Sequence, residues 1–222
     1  METNTVKILG IEKVTHDVKR FCVEKPKGYS FIPGQATEIA INKVGWTSQK
    51  RPFTFTGLNS QDFLEFTIKI YQDRKGVTRE LGKLSIGDEL IIHDVWGAIQ
   101  YQGEGVFFAG GAGITPFIAI FRHLKKVDQV GGNQLFFSNK TDRDIILRDE
   151  LGKILGENFH NTLTAERVDG LHYGMIDENF ISGAVKDFSQ QFYICGPDPM
   201  VQSISKILQK LGGAQTLVTV EI

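Results

Sequence analysis

Residues 105–126 read GVFFAGGAGITPFIAIFRHLKK, and the succession of residue types in that stretch decides the fold of the second half of the chain. An apolar run, GVFF, is short enough for a buried strand, and it ends in glycines at 110, 111 and 113. Phe117, Ile120, Phe121 and Leu124 then fall at helical spacing. Thr115 suits the N-cap and Pro116 the first turn, so the helix start is specified by sequence. A strand that passes through a tight glycine loop into a helix is the unit of a parallel sheet with covering helices.

The unit recurs downstream. NQLFFSN (133–139) is followed by the helical pattern of TDRDIILRDELGKIL (141–155), and NTLTAER (161–167) supplies a third strand. QFYICG (191–196) leads to Asp198 as cap and Pro199 in the first turn of a helix. In that helix Ile204, Ile207, Leu208 and Leu211 share one face, and Gly212 ends it. The last strand is TLVTVEI (216–222).

Upstream the grammar differs. VKILGIEKVT, VKRFCVEK, ATEIAIN, FTFTG, FLEFTIKIY and GDELIIHDVW are short, β-branched and aromatic-rich runs with partial alternation. Turn signals separate them: KPKGYSFIPG, NKVGW, GLNSQD and SIGDE. Strands at this spacing predict a small antiparallel β-barrel, with GVTRELGKL (76–84) as a short helix or turn. The expected architecture is two domains. Residues 1–102 form an N-terminal antiparallel β-barrel, and 103–222 a C-terminal α/β parallel-sheet nucleotide-binding domain.

Composition narrows the function classes. The chain has 222 residues, 41% hydrophobic and 23% charged, with a net charge of −1. That balance gives no broad electrostatic footprint for nucleic acid or anionic lipid. The densest charge clusters, HLKK (123–126) and DRDIILRDE (142–150), read as solvated helix faces. Two cysteines, Cys22 and Cys195, cannot build a four-cysteine zinc or iron–sulfur site, so no metal ligands are assigned. No apolar run reaches the roughly 20 residues of a membrane span. The start, METNTVKILG, has no apolar signal core, so a reducing cytoplasmic setting is expected.

Three places carry chemistry. In FFAGGAGITPF (107–117) backbone can approach an anion at a helix N-terminus, at the strand edge where α/β sheets bind ligands. By itself the loop serves equally well as a tight strand–helix turn. YICGPDPM (193–200) repeats the arrangement with Cys195 at its tip, a thiol that is either polarised by the helix entrance or simply a small buried side chain. Two such strand ends in one sheet could together hold a dinucleotide. In the barrel half, RPFTFTG (51–57) offers a cation at Arg51 and a flat ring at Phe53, while KGVTREL (75–81) offers Gly76 and Thr78 at a helix start. Taken singly, these are a surface salt bridge, a core aromatic and a turn.

Taken in order, FIPGQATEI (31–39), RPFTFTG, GVTREL, GDELIIHDVWG, AGGAGITPF, YICGPDPM and the terminal VTVEI resemble the ferredoxin–NADP reductase family, including flavodoxin reductases and the flavin domains of cytochrome b5 reductases. The resemblance covers nearly the whole chain. It implies a flavoprotein that takes hydride from NADH or NADPH onto bound FAD, with FMN as the lesser alternative. Electrons then pass to a separate carrier such as flavodoxin or ferredoxin. Reduction of free flavin or another diffusible acceptor, or service as an electron-transfer subunit of a larger oxidoreductase, are the alternatives.

By resemblance, Arg51 meets the flavin phosphate, Phe53 stands where the family has tyrosine against the isoalloxazine, and Thr54 faces flavin N5. Gly76, Val77 and Thr78 match the phosphate turn, and Pro52, Lys69 and Tyr71 are further cofactor-binding candidates. Gly111, Gly113, Ile114, Thr115 and Pro116 match the nucleotide loop, with Ser138 beside it. Cys195, Gly196 and Pro197 match the motif near the nicotinamide. Thr54, Cys195 and Glu221 are the candidates at the reacting atoms. The chain departs from plant-type relatives in ending at Ile222 without a terminal aromatic. In the stretch that reads the adenosine ribose, Glu166 leans towards NADH, while Arg167 and Lys140 lean towards NADPH.

Overall fold

A computed structural model describes residues 3–97 and 99–213, and the backbone of 217–221. The first sheet is built from β1 (Asn4–Lys13), β2 (Val18–Glu24), β3 (Ala36–Ile41), β4 (Arg51–Thr54), β5 (Phe63–Lys69) and β6 (Glu89–Trp96). Its strand order is β4-β3-β6-β1-β2-β5, and every pairing is antiparallel. Just past β4, the Thr56 N–H donates to the Glu65 carbonyl at 2.9 Å, which brings the two outer strands together and rolls the sheet into a barrel. Alternation sets what lies inside: Val6 and Ile8 of β1 and Phe21 and Val23 of β2 are buried. Phe31 stacks on Phe55 with ring centroids 4.1 Å apart at the centre of this core. The short helix α1 (Val77–Leu81) covers one end with buried Val77 and Leu81.

The second sheet comprises β7 (Gly105–Gly110), β8 (Gln134–Asn139), β9 (Phe159–Leu163), β10 (His172–Tyr173), β11 (Gln191–Gly196) and β12 (Leu217–Glu221). All pairs are parallel, in the order β10-β9-β8-β7-β11-β12. Helices α2 (Thr115–Lys126), α3 (Arg148–Leu155), α4 (Glu178–Ala184) and α5 (Asp198–Lys210) cover it. Both faces are buried, which is why GVFF is a continuous apolar run rather than an alternating one. Phe107 packs on one side with Phe117, Phe121 and Tyr193. Phe108 packs on the other with Phe136, Ile194 and Leu208. Each fully buried ring contributes about 2–3 kcal/mol relative to exposure.

The chain crosses between sheets from Trp96 to Gly105. Tyr193 Oη accepts from the Gln102 N–H at 2.9 Å and donates to the Gly103 carbonyl at 2.8 Å, so the connection is fastened to the parallel sheet.

Several local expectations are corrected. Thr115 and Asp198 are the first helical residues, not N-caps; Ile114 and Pro197 hold the cap positions without side-chain capping bonds. A 3₁₀ turn over Gly111–Ile114 runs directly into α2 and leaves the Thr115 hydroxyl free for another partner. The pattern of 141–155 is not one helix. A 3₁₀ turn at Asp142–Asp144, closed by a capping box on Thr141, is separated from α3 by Leu147 in the left-handed region at φ 52°. The two-residue strand β10 and α4 carry too little periodicity to be read from sequence. The charge clusters are not simply solvated, since Lys126 bonds Ser60, Asp144 approaches His16 and Glu150 pairs with Arg122.

Candidate functional site

From β7 the chain proceeds outward through β8, β9 and β10, then returns to lay β11 on the opposite side of β7. The carboxyl ends of β7 and β11 therefore flank the point where strand order reverses, the place where open α/β sheets leave a ligand crevice. The two glycine-bearing strand ends predicted from sequence meet there. A Cβ on Gly113 would lie 2.2 Å from the Cys195 carbonyl oxygen and 2.6 Å from Gly196 Cα, so the loop rests directly on β11 backbone. Gly111 adopts φ +51° with nothing within 4 Å of a would-be Cβ, which leaves its backbone open to an approaching group. Ser138, the penultimate residue of β8, lies in register with Gly110.

Cys195 is 0% exposed, and burial pushes its thiol up to about 12. The polarisation considered for a thiol at a helix entrance is therefore absent; desolvation outweighs the helix end. Cys195 and Gly196 pair with β12, Gly196 lying in register with Glu221. The Glu221 side chain and Ile222 fall outside the described residues.

The barrel supplies the facing surface. Arg51 is exposed on β4, and its guanidinium donates to the Lys50 carbonyl at 2.8 Å. Phe53 is half-buried against the barrel core, and Pro52 is exposed. Thr54 Oγ1 donates to Thr115 Oγ1 at 2.7 Å. That bond ties the end of β4 to the first turn of α2, and so joins the RPFT and GITP motifs, 61 residues apart, at one point. Gly76 precedes α1 in extended conformation with nothing within 4 Å of a would-be Cβ, and α1 begins with no side-chain cap. Its first N–H groups point out of the helix start beside the partly exposed Thr78. Gly76 and Gly111 thus leave open backbone, and Thr54, one residue past Phe53, meets the end of the 111–115 loop.

Other predicted residues are engaged elsewhere in the fold. Lys69 pairs with Asp17 at 2.9 Å, and Tyr71 lies under Arg74 at 4.9 Å. The same Asp17 belongs to a cluster with His16 and Asp144 that spans the two sheets. Burial would raise Asp144, yet the Thr141 hydroxyl and N–H, with Lys69 and His16 nearby, hold it below its ordinary value. Glu166 accepts from the Asp142 N–H at 2.8 Å, and Arg167 lies 4.1 Å over the Tyr173 ring. Both sit past the end of β9, apart from the Thr54–Thr115 contact.

Sequence reasoning missed a second junction between the sheets. Arg122 of α2 donates through Nη1 to the Thr56 carbonyl at 2.8 Å and to Glu65 of β5, and through Nη2 to Glu150 of α3 at 2.9 Å. Burial opposes its charge, but the hydrogen bond to Glu150 and the attraction of Glu65 raise its pKa above the ordinary arginine value. Glu150, raised by burial alone, is held below its usual value by the same guanidinium. A glutamate inside the strand FLEFTIK was the one available signal, because a carboxylate on a buried strand must be paired.

The sequence signature described as "Oxidoreductase NAD-binding domain" matches residues 107–206. The reductase component of propane 2-monooxygenase from Rhodococcus jostii is 27% identical over 93% of this chain, which covers 60% of that protein. NADH-cytochrome b5 reductase 1 of Rattus norvegicus is 27% identical over 97% of this chain and 84% of its own length. In three dimensions, a ferredoxin NADP+ reductase from Neisseria gonorrhoeae with bound FAD and NADP superposes with TM-score 0.87 at 19% identity, covering 100% of this chain and 99% of that one. This chain spans about 60% of the length of the oxygenase reductase components it matches. Among the described residues no helix is long and apolar enough to cross a membrane.

Proposed function

We propose that the chain is an NAD(P)H-dependent flavoprotein reductase of the ferredoxin–NADP reductase kind, with FAD in the barrel and a nicotinamide nucleotide on the α/β unit; the NAD-binding signature over 107–206 and the similarity to reductase components and cytochrome b5 reductases support this. The units proposed are residues 1–102 and 103–222. The observation that carries the reading is the 2.7 Å bond from Thr54 to Thr115, which brings the flavin motif and the nucleotide loop to one point at the switch of strand order. When bound, the flavin supplies the capacity to accept hydride and release electrons singly.

The chain's own contribution is orientation and electrostatics. Arg51, exposed and bonded among the described residues to the Lys50 carbonyl, is assigned to a flavin phosphate. Gly76, Val77 and Thr78 would hold the phosphates as a turn that fits a pyrophosphate, which favours FAD over FMN. Phe53 would present a ring face beside Pro52; Lys69 and Tyr71, held by Asp17 and Arg74, stay cofactor-binding candidates. The Thr54 hydroxyl commits its proton to Thr115 and so offers only lone pairs to the ring edge. That arrangement favours a ring nitrogen that carries hydrogen, the reduced form.

Gly111, Gly113, Ile114, Thr115, Pro116 and Ser138 are assigned to the nucleotide. Cys195, Gly196 and Pro197 would form the wall beside the nicotinamide, with the neutral Cys195 thiol buried behind it and exchanging no proton. Glu221 follows as a carboxylate candidate from its register with Gly196. We favour NADH, because Glu166 is held at the end of β9 by the Asp142 N–H, where its charge opposes a ribose 2′-phosphate.

The acceptor is a separate carrier of the ferredoxin or flavodoxin kind. A second reading, delivery to an oxygenase component, is favoured by relatives named as reductase components of propane, glycine betaine and naphthalene oxygenase systems. A cytoplasmic location goes with either.

The test is the visible spectrum of the purified protein, followed by anaerobic addition of NADH or NADPH. A flavin spectrum bleached preferentially by NADH is expected. A colourless protein that takes up neither FAD nor FMN would overturn the reading.

A further inference from the structure

A single hydrogen bond between two hydroxyls, such as Thr54–Thr115, fixes a point of contact but not the tilt of a helix about that point. Arg122 lies seven residues beyond Thr115 on α2, two turns or about 10.5 Å along the same face. Its partner Thr56 lies two residues beyond Thr54, and Glu65 is paired to Thr56 across the barrel closure. One turn further, Lys126 bonds Ser60. Contacts 54–115, 56–122 and 60–126 thus advance together along α2 and along the chain leaving β4.

Val14 and Val18 from the barrel side pack into the apolar core under α2, while at the level of Arg122 the contact is made by ion pairs and hydrogen bonds. Arg122 lines a cavity of about 600 Å³ between the two sheets, walled by Arg20, Leu58, Phe63, Lys153 and Ile154. What spans that gap is polar. Glu65, with a side chain 5% exposed, accepts from Thr56 Oγ1 at 2.8 Å as well as from Arg122, and Thr56 Oγ1 in turn lies 3.1 Å from Thr67 Oγ1. On the other side the guanidinium grips both oxygens of Glu150 on α3. A planar fork holding a barrel carboxylate and carbonyl on one side and an α3 carboxylate on the other fixes direction as well as distance.

We propose that Arg122 is a positioning residue for hydride transfer: by locking the tilt of α2 on Thr56 and Glu65, it holds Thr115 and the nucleotide loop in register with Thr54. The inference rests on the flavoprotein reductase reading. Arg122 itself touches neither proposed cofactor site. A displacement of 1 Å at the reacting point is enough to cost on the order of a hundredfold in rate, and a tilt of about 5° over the 10.5 Å lever produces it.

The test uses the full chain loaded with FAD. Three variants are compared with the parent: Arg122→Met, Arg122→Lys and Glu65→Gln. In stopped flow, Arg122→Met should reduce its flavin at least tenfold more slowly at saturating NADH, with the half-saturating NADH concentration changed less than threefold. Reduction of the same flavin by dithionite, which needs no nucleotide site, should be unchanged. Arg122→Lys keeps the charge but cannot hold both carboxylates and should fall in between. Glu65→Gln, isosteric with its parent, should slow NADH reduction in the same direction and keeps the test decisive if the methionine variant does not fold. NADH reduction within twofold of the parent in folded Arg122→Met or Glu65→Gln would overturn the positioning role. So would parallel loss of the NADH and dithionite rates. Failure of the unmodified protein to bind flavin, or to be reduced by either nucleotide, would instead overturn the reductase reading and the role with it.

Discussion

Replacing Gly113 by alanine tests the contact on which the site is built. The added Cβ would lie 2.2 Å from the Cys195 carbonyl oxygen, 2.5 Å from its carbon and 2.6 Å from Gly196 Cα. All three are backbone atoms of β11, which is paired to β7 on one side and β12 on the other and cannot retreat alone. A carbon and a carbonyl oxygen settle no closer than about 3.3 Å, so the loop must withdraw by about 1 Å. Overpacking of this kind costs about 1–3 kcal/mol. For a chain of this size that lowers the melting temperature by about 2–12 °C. The same withdrawal carries Thr115 off Thr54, so nicotinamide-driven flavin reduction should slow by about a hundredfold. Gly152→Ala is the control, since Gly152 lies inside α3 and its Cβ would meet only Phe159 Cδ1 at an ordinary 3.8 Å. It should gain up to about 1 kcal/mol from helix propensity and leave the rate alone. Thermal unfolding with and without FAD, and single-turnover reduction, give both numbers. A Gly113→Ala protein with the parent's melting temperature and rate would refute the close-approach argument.

Three further substitutions separate the roles assigned to other residues. Arg51→Ala should leave the melting temperature of the flavin-free protein unchanged, because Arg51 is exposed and its guanidinium bonds, among the described residues, the neighbouring Lys50 carbonyl. It should weaken FAD binding by roughly ten- to a hundredfold, the loss of one charge-assisted hydrogen bond; equal weakening of nucleotide binding would contradict the assignment. Glu166→Ser removes the acceptor of the Asp142 N–H and one negative charge, and should raise the NADPH-to-NADH ratio of kcat/KM about tenfold, or ~1.4 kcal/mol. An unchanged ratio would detach Glu166 from the ribose. The Cys195 thiol is raised by burial from 9.0 to about 12, so its contribution to stability is complete below pH 9 and disappears as pH rises towards 12. Cys195→Ala should therefore lose melting temperature less steeply than the parent between pH 9 and 12, and matching slopes would show that burial does not hold the thiol neutral.

What sequence could and could not reveal follows from the range of the interactions involved. The strand–glycine–helix units at 105–126 and 191–212 were legible because a buried strand, a helix face and a glycine at a close backbone approach each leave a local mark. The barrel strands were legible for the same reason, as β2 and β6 place apolar residues inward at regular intervals. Leu147 was not legible, since a leucine at φ 52° is held there by Ile145 and Ile146 before it and Leu151 after it, all buried in the core. Thr115 was read as a cap because threonine before proline ordinarily caps a helix. Nothing local reveals that a preceding 3₁₀ turn relieves it of that duty and turns its hydroxyl towards Thr54.

Arg122 shows the limit most sharply. In FRHLKK it stands beside three further basic or titratable side chains and has the composition of a solvated helix end. It is nevertheless the most deeply engaged cation described here, because its position on α2 falls on the stripe of Thr115 and Lys126 that faces the barrel. The stripe has helical period, but its partners Thr56, Glu65 and Ser60 come from a strand and its following turn. No single periodicity can register a helix read against a strand. A carboxylate at position 65 inside an apolar strand is the only local trace of that pairing, and it states that a cation must arrive without stating from where. The joint between the two sheets, on which the proposed chemistry depends, is therefore the part of this protein that is written in pairs of distant residues rather than in motifs.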